Sequence, residues 1–327
     1  GISFTATMLN QGGALLNIYM DGSVSVNHGG TEMGQGLNTK MAQVCADGLG
    51  ISTSFVRVTG TDTQKVPNAS ATSASSGADI NGAAIMNATL QMRARLAPVA
   101  ARMLGCDEKE VTFANNQAHG GGKSVNWPDL AKQAWLDRVG LSVTGFYMTP
   151  EIKYDFTTLN GRAFYYYCYG AAVSEVEIDT RTGEWWLKAV DIVHDAGKSI
   201  NPAIDKGQIE GAYVQGMGWL TMEECIWDKK GKLLTHGPST YKIPVAGDVP
   251  EHLNISLFEN HNIKPTPFNS KAVGEPPLML GLSSFFALRD AVSASADHKT
   301  VVHMHAPATP ERILLACEAA KAQVAKA

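Results

Sequence analysis

Three stretches carry residue types and spacings that could do chemistry. The first is Gly30-Thr31-Glu32-Met33-Gly34-Gln35-Gly36, set between an alternating apolar stretch and a helical pattern. Glycines there leave backbone N–H groups accessible at a helix N-terminus, which favours an anion such as phosphate. Gln35 adds an amide that both donates and accepts. The spacing is neither G-x-G-x-x-G nor a Walker loop, and a plain strand-to-helix turn needs the same glycines. The second stretch runs from Asn68 to Asp79 and consists of small residues throughout. Such a run cannot fill a core. It forms either a mobile surface loop or a backbone against which something bulky can press, with N–H and hydroxyl donors for a phosphorylated or oxo-rich ligand. The third is Gly274-Glu275-Pro276-Pro277. A residue before proline is biased toward extended backbone, so the Glu275 carboxylate is expected to be stiffly placed, as a general base requires. A solvated turn carboxylate is the plainer reading of the same residues.

Other candidates are weaker. His303 and His305 would share one face of a strand, but no third ligand stands at metal-site spacing and no H-E-x-x-H motif occurs. Gly122-Lys123-Ser124 fails the Walker pattern because residue 117 is Gln. It reads as a hairpin turn. His28 reads as a hydrogen-bonded structural histidine.

Composition narrows the function classes. With 327 residues, 44% hydrophobic and 18% charged, the chain can bury a substantial core. A net charge of −4 without a dense Lys/Arg run argues against a nucleic-acid partner. No apolar run approaches the ~20 residues that span a bilayer, and no charged-then-apolar leader opens the chain. The five cysteines are scattered and never in C-x-x-C spacing, which fits reduced thiols and a cytoplasmic location. The start at Gly1, running at once into a strand-like stretch, reads as a fragment of a longer protein.

The elements that would position these residues follow from periodicity. Ala14 to Asn27 alternates about Asp21-Gly22 and predicts a hairpin with a two-residue turn. Leu37, Met41, Val44 and Cys45 share one face of a helix that follows the glycine loop. Ile80 to Leu104 reads as a long helix kinked or broken at Pro98. Val111 to Val125 reads as one hairpin, and a short helix follows Trp127-Pro128-Asp129. A second hairpin-plus-helix unit begins near Ala171. It passes Trp185-Trp186, whose side chains should face opposite ways, and ends in a helix from Asp205 to about Glu224. Thr309-Pro310 should cap and open the last helix. The fold class is α+β (mixed α/β), with two sheet-and-helix halves, residues 1–145 and 146–327.

Six motifs in order extend the reading. They are Gly30 to Leu37; Thr72-Ser73-Ala74-Ser75 with Ala78-Asp79; Thr144-Gly145-Phe146-Tyr147; Val214-Gln215-Gly216-Met217-Gly218; Pro238 to Pro244; and Lys271-Ala272-Val273-Gly274-Glu275-Pro276-Pro277. Together they resemble the molybdenum-binding portion of the xanthine dehydrogenase family, and most of all the C-terminal half of the separate molybdopterin-binding subunit of bacterial members. Val173 and Gly77 depart from the Cys and Ser of some relatives.

The resemblance implies a molybdenum-cofactor-binding domain fold and the hydroxylation of hypoxanthine or xanthine toward urate with water-derived oxygen. It implies Glu275 as general base. Met33, Gln35, Thr72, Ser73, Ala74, Ser75, Ser76 and Gln215 would hold the molybdopterin, with the molybdenum near Ala74 and no protein ligand to the metal. Phe4 and Thr5 would meet the purine. Electrons would leave through iron–sulfur centres and FAD, carried on partner subunits or domains, to NAD. The complete enzyme would be a hetero-oligomer in which the N-terminal half of the molybdopterin-binding domain supplies the rest of the site, so this chain alone should not turn over substrate. Another molybdenum hydroxylase, acting on aldehydes or other N-heterocycles, and a non-catalytic scaffold are the alternatives.

Overall fold

Alternating apolar residues produce the hairpin that precedes the glycine loop. In the computed structural model, which describes residues 2–6 (backbone only), 10–66 and 69–326, β1 (Ile2–Ala6) is followed by β2 (Gln11–Ile18) and β3 (Val24–His28). The last two pair antiparallel, with Ile18 opposite Val24. Their turn is wider than the expected two residues. Tyr19 N–H donates to Ser23 O at 2.9 Å, leaving Met20-Asp21-Gly22 as the loop, with Gly22 at φ +85°. A type I turn closed by a left-handed glycine suits the strands' twist at this length.

α1 (Leu37–Leu49) buries Leu37, Met41, Val44 and Cys45, as its spacing predicts. β4 (Val56–Val58) runs parallel to β3. α2 (Gly77–Leu104) then continues through Pro98, so of the expected kink or break there is no break. Leu96, Val99 and Ala100 around it are buried, and burial of that face outweighs the one backbone hydrogen bond that proline removes. β5 (Thr112–Ala114), β6 (Gln117–Gly120) and β7 (Lys123–Asn126) form a meander where one hairpin is expected. The extra turn is Asn115-Asn116, both at positive φ, a conformation that asparagine tolerates. α3 (Trp127–Leu136) starts on fully buried Trp127, whose Nε1–H donates to Gly22 O at 2.7 Å.

β8 (Ser142–Met148) completes a first sheet of order β4-β3-β2-β8. α2 lies directly on this sheet, because a Cβ on Gly145 of β8 would stand 2.0 Å from Ala84 O. A small ladder of β9 (Lys153–Asp155) and β10 (Asn160–Arg162) leads to the second sheet. There β11 (Phe164–Ile178) and β12 (Trp185–His194) form a long hairpin. Trp185 is part of the packing and Trp186 is exposed, as their alternation predicts.

α4 (Pro202–Thr221) starts and ends three residues earlier than expected. Asn201 Oδ1 accepts Ile204 N–H at 3.1 Å and Pro202 takes the first helical position, so the cap sets the start. β13 (His252–Leu257) adds parallel to β12, while β1 adds antiparallel to β11, giving the order β1-β11-β12-β13. A 3₁₀ turn over Pro276–Gly281 leads into α5 (Leu282–Ala294). α6 (Pro310–Val324) opens on the Thr309 cap, as expected. His303 and His305 lie in irregular chain, not on a strand.

The architecture is mixed α+β with two sheet-and-helix halves. The boundary expected at 145/146 falls inside β8, and the first strand of the chain is built into the second sheet. Separate cores fill the two halves: Leu16, Ile85, Met92 and Trp127 in one, and Ile192, Ile209, Tyr213 and Met217 in the other. Among the described residues, no helix is long and apolar enough to cross a membrane.

His194, at the end of β12, is 1% exposed. Its Nδ1–H donates to Tyr169 O at 3.1 Å, and its Nε2 has no hydrogen-bond partner among the described residues. Burial pushes its pKa down from 6.5 to about 4. A depressed folded-state pKa stabilises the fold above the unfolded value, and that stability is lost as pH falls from 6.5 toward 4. His194→Asn keeps a donor near Nδ1 and removes the titration. Urea unfolding between pH 7.5 and 4.5 should therefore show a shallower loss of stability in the variant, by up to ~3 kcal/mol. Parallel pH curves for the two proteins would contradict this.

Candidate functional site

A cavity of about 390 Å³ opens between the two halves, within the range of small-molecule sites. Its walls are the glycine loop with the start of α1, the Thr72–Ala78 segment, the first turns of α4, and Ser270–Glu275. Of the residues expected to bind, Met33, Gln35, Thr72, Ser73, Ala74 and Ser75 line it together with Glu275. These positions are up to 242 residues apart in sequence (275 − 33). Ser76 does not line the cavity. It is 2% exposed and its Oγ donates to Ser73 O at 3.2 Å, closing the turn into α2.

Glu32 shapes the glycine loop. Its carboxylate accepts the N–H groups of Gly34, Gly36 and Asn38 at 2.9, 3.0 and 2.8 Å. Burial pushes its pKa up, but these backbone hydrogen bonds outweigh burial and hold it below the usual carboxylate range. The Gln35 amide is folded over the loop, with Nε2 donating to Thr31 O at 2.8 Å and Oε1 accepting Met33 N–H at 2.5 Å. Thr31 N–H donates to Thr72 Oγ1 at 2.9 Å, which joins the glycine loop to the small-residue segment. His28 accepts Gly30 N–H at 3.1 Å through Nδ1 and meets Asn38 Oδ1 through Nε2, the structural role expected of it.

The small-residue segment forms one wall of the cavity through Thr72, Ser73, Ala74 and Ser75. Ala74 and Ser75 have φ of 57° and 53°, so their backbone forms a left-handed turn along the cavity wall. Asn68 lies outside the described residues. Ser75 Oγ accepts Glu275 N–H at 2.6 Å. Glu275 itself adopts helical backbone, φ −86° and ψ −37°, where extended backbone is expected before proline. Its carbonyl accepts Leu278 N–H at 3.0 Å, and that 3₁₀ turn holds it against the pre-proline bias. The side chain is exposed, and among the described residues its carboxylate takes part in no ion pair. Gly216 of α4 allows the turn after Glu275 to sit close, since a Cβ there would lie 2.2 Å from Leu278 O.

Four charged or amide side chains of the lining have no role assigned from the sequence: Lys40, Asp205, Gln208 and Lys271. Lys40 and Asp205 form a buried ion pair between α1 and α4, and Ser199 Oγ donates to Asp205 at 2.5 Å. Lys271 pairs with buried Asp195 at 2.5 Å. The available signal was Lys40 itself, a charge set among Leu37, Met41 and Val44 on an apolar face. Gln208 lines the cavity, whereas Gln215, two turns further along α4, is exposed and outside it. Phe4 and Thr5 belong to β1, where Phe4 pairs with Tyr167 and the strand runs beside the Pro276–Gly281 turn. Their side chains lie outside what is described. Among the described residues, no group of His, Cys, Asp or Glu could hold a metal ion directly.

Comparison with known proteins gives the family and the fold. A family model described as a molybdopterin cofactor-binding domain matches residues 1–250. Xanthine dehydrogenase/oxidase of Mus musculus is 48% identical over 323 residues, covering 97% of this chain and 23% of that protein. Xanthine dehydrogenase 1 of Arabidopsis thaliana is 46% identical over 327 residues, with coverage of 97% and 23%. The chain thus spans about a quarter of the length of the curated relatives it matches. Among solved structures, quinoline 2-oxidoreductase from Pseudomonas putida 86 aligns with a TM-score of 0.83 at 26% identity, over 97% of this chain and 40% of that one. Reconstituted CO dehydrogenase from Oligotropha carboxidovorans shares the fold, with a TM-score of 0.84 at 22% identity over 98% and 40%.

The contact between Gly274 and Ser75 is testable. A Cβ at Gly274 would stand 2.7 Å from Ser75 Oγ and 3.3 Å from Ser75 Cβ. Gly274→Ala should cost ~1–3 kcal/mol. In the Ser75→Gly background the same change should cost at least ~0.5 kcal/mol less, as read in a double-mutant cycle by urea unfolding. Additive effects would mean that the two residues do not constrain each other.

Proposed function

The chain belongs to the molybdopterin cofactor-binding domain family, and on that premise we propose that it forms one wall of the active site of a xanthine dehydrogenase-type molybdenum hydroxylase. The observation that carries this reading is the convergence of Glu275, the Gln35 loop and the Thr72–Ser75 turn on one cavity.

The donor set fits a flat, nitrogen- and oxygen-rich cofactor bearing a phosphate. Gln35 and Gln208 offer amides, Thr72 and Ser73 offer hydroxyls, and the left-handed Ala74-Ser75 turn leaves no bulky side chain in the way. When bound, the molybdenum–molybdopterin group would supply the two-electron oxidation by which an electron-poor carbon beside a ring nitrogen gains oxygen from water. Gln35, Gln208 and the Thr72–Ser75 turn would hold and orient it, with the metal side near Ala74. The Glu275 carboxylate oxygen would take the proton from the attacking oxygen. Its exposure at the cavity and the absence of an ion pair to it among the described residues leave that oxygen able to accept. Ser75 and the 3₁₀ turn fix its backbone on either side.

The favoured substrates are hypoxanthine and xanthine, with Phe4 and Thr5 of β1 against the purine. Electrons would pass through iron–sulfur centres and FAD, on other domains or subunits of a cytoplasmic hetero-oligomer like the bacterial enzymes, to NAD. The remaining half of the molybdopterin-binding domain would close the site. The 26% identity to quinoline 2-oxidoreductase favours a second reading, in which another N-heterocycle is hydroxylated by the same residues. Comparing kcat/KM for xanthine and quinoline in the complete enzyme separates the two.

Glu275→Gln keeps shape and removes the basic oxygen. In the complete enzyme, kcat should fall by ~10²–10⁴-fold with molybdenum content unchanged. Near-normal turnover at full loading would remove Glu275 from the mechanism, and joint loss of molybdenum and activity would make it structural. Gln208→Leu should lower molybdenum content, while Gln215→Leu, outside the cavity, should leave it near wild type. The reverse pattern would return the cofactor role to Gln215.

A further inference from the structure

One phenolic oxygen joins two walls of the cavity. Tyr166 of β11 is 6% exposed and does not line the cavity. Its hydroxyl donates to Asp79 Oδ2 at 2.5 Å and accepts Ala272 N–H at 2.9 Å. Asp79 stands in the first turn of α2, directly after the Thr72–Ser76 turn. Ala272 stands three residues before Glu275. Cys168, two residues along the same strand, donates through Sγ to Ala272 O at 3.3 Å, so β11 holds both backbone polar groups of Ala272.

The direction of these bonds is set by chemistry. A backbone N–H can only donate, so the phenolic oxygen must accept from Ala272 and its proton must go to Asp79. Burial, reinforced by Asp79, pushes the Tyr166 hydroxyl well above its ordinary pKa, which keeps it a donor. Asp79, also buried, has its pKa raised to about 7 by burial against the pull of Tyr166 and Lys40, and its carboxyl would be costly to leave without a donor. Other holds on this segment lie elsewhere: Ser270 on Asn262, Thr266 and Pro267 and Lys271 on Asp195 and Ala196 upstream, and Glu275 on Ser75 downstream.

We propose that Tyr166, oriented by Asp79, is a positioning residue for Glu275: it sets the spacing between the start of α2 and Ala272, and hence between the Thr72–Ser75 turn and the carboxylate. This rests on the reading of Glu275 as the proton acceptor. A displacement near 1 Å at a reacting group can cost ~10²-fold in rate, so one hydroxyl removed from outside the cavity is enough to matter.

The test compares Tyr166→Phe, Asp79→Asn and Glu275→Gln in the complete holoenzyme. Each is measured for molybdenum content, for kcat and KM, and for amide exchange of the peptide spanning residues 270–276. Tyr166→Phe should keep its molybdenum and change KM by no more than about 2-fold, while kcat falls ~10–100-fold. Its Ala272 amide should exchange ~10-fold faster. Asp79→Asn still accepts the phenol proton and should keep slow exchange and most of kcat. Wild-type exchange or wild-type kcat in Tyr166→Phe overturns the proposal. So does loss of molybdenum in both Tyr166→Phe and Asp79→Asn, which would mark the pair as scaffold. Glu275→Gln at full rate defeats the reading of the base itself. Slow Glu275→Gln beside fast Tyr166→Phe defeats the positioning role alone.

Discussion

Buried backbone groups need hydrogen-bond partners, and between Ser270 and Glu275 neither a helix nor a strand of a sheet supplies them. They are found one at a time on other elements. Lys271 N–H reaches Ala196 O beyond β12, Ala272 uses Tyr166 and Cys168 of β11, and Glu275 N–H uses Ser75 before α2. The segment therefore takes its position only when both halves of the chain are folded around it. The cavity, bounded by that segment on one side, inherits the same condition. β1, placed by the fold in the second sheet although it opens the chain, ties the halves together in the same sense.

Close approach is the second requirement, and it selects small residues at the contacts. Gly145 lets α2 rest on the first sheet, and Gly216 lets the turn after Glu275 rest on α4. A motif such as Val214-Gln215-Gly216-Met217-Gly218 thus carries a packing role in its glycine, while its glutamine is exposed and does not line the cavity. Specific residues at such positions mark backbone contact as readily as ligand contact.

Charge in the cavity wall is arranged in pairs. Lys40 with Asp205 joins α1 to α4, and Lys271 with Asp195 anchors the Glu275 segment. Buried pairs of this kind add little net stability over apolar packing, but removal of either partner leaves an uncompensated charge, so each pair enforces one arrangement of its elements. With both pairs neutralised internally, Glu275 is the lining carboxylate that remains outside any ion pair among the described residues.

The amino-acid sequence by itself determined what depends on neighbours along the chain. The apolar face of α1, the hairpin of β2 and β3, the Thr309 cap of α6 and the opposed faces of Trp185 and Trp186 all follow from local period and capping chemistry. The glycine loop, the small-residue turn and Glu275 stood out as candidates because their residue types are unusual for core or surface. Tertiary structure decided the rest. Burial of Leu96 and Val99 carried α2 through Pro98, and a 3₁₀ hydrogen bond drew Glu275 into helical backbone. The start of α4 at its Asn201 cap brought Gln208, and not Gln215, to the cavity. The pairing of Lys40 with Asp205, and of Tyr166 with Asp79 and Ala272, joins residues far apart in sequence. No local pattern encodes which partner such a group will meet, because that is settled only when separate elements pack and each buried donor must find an acceptor.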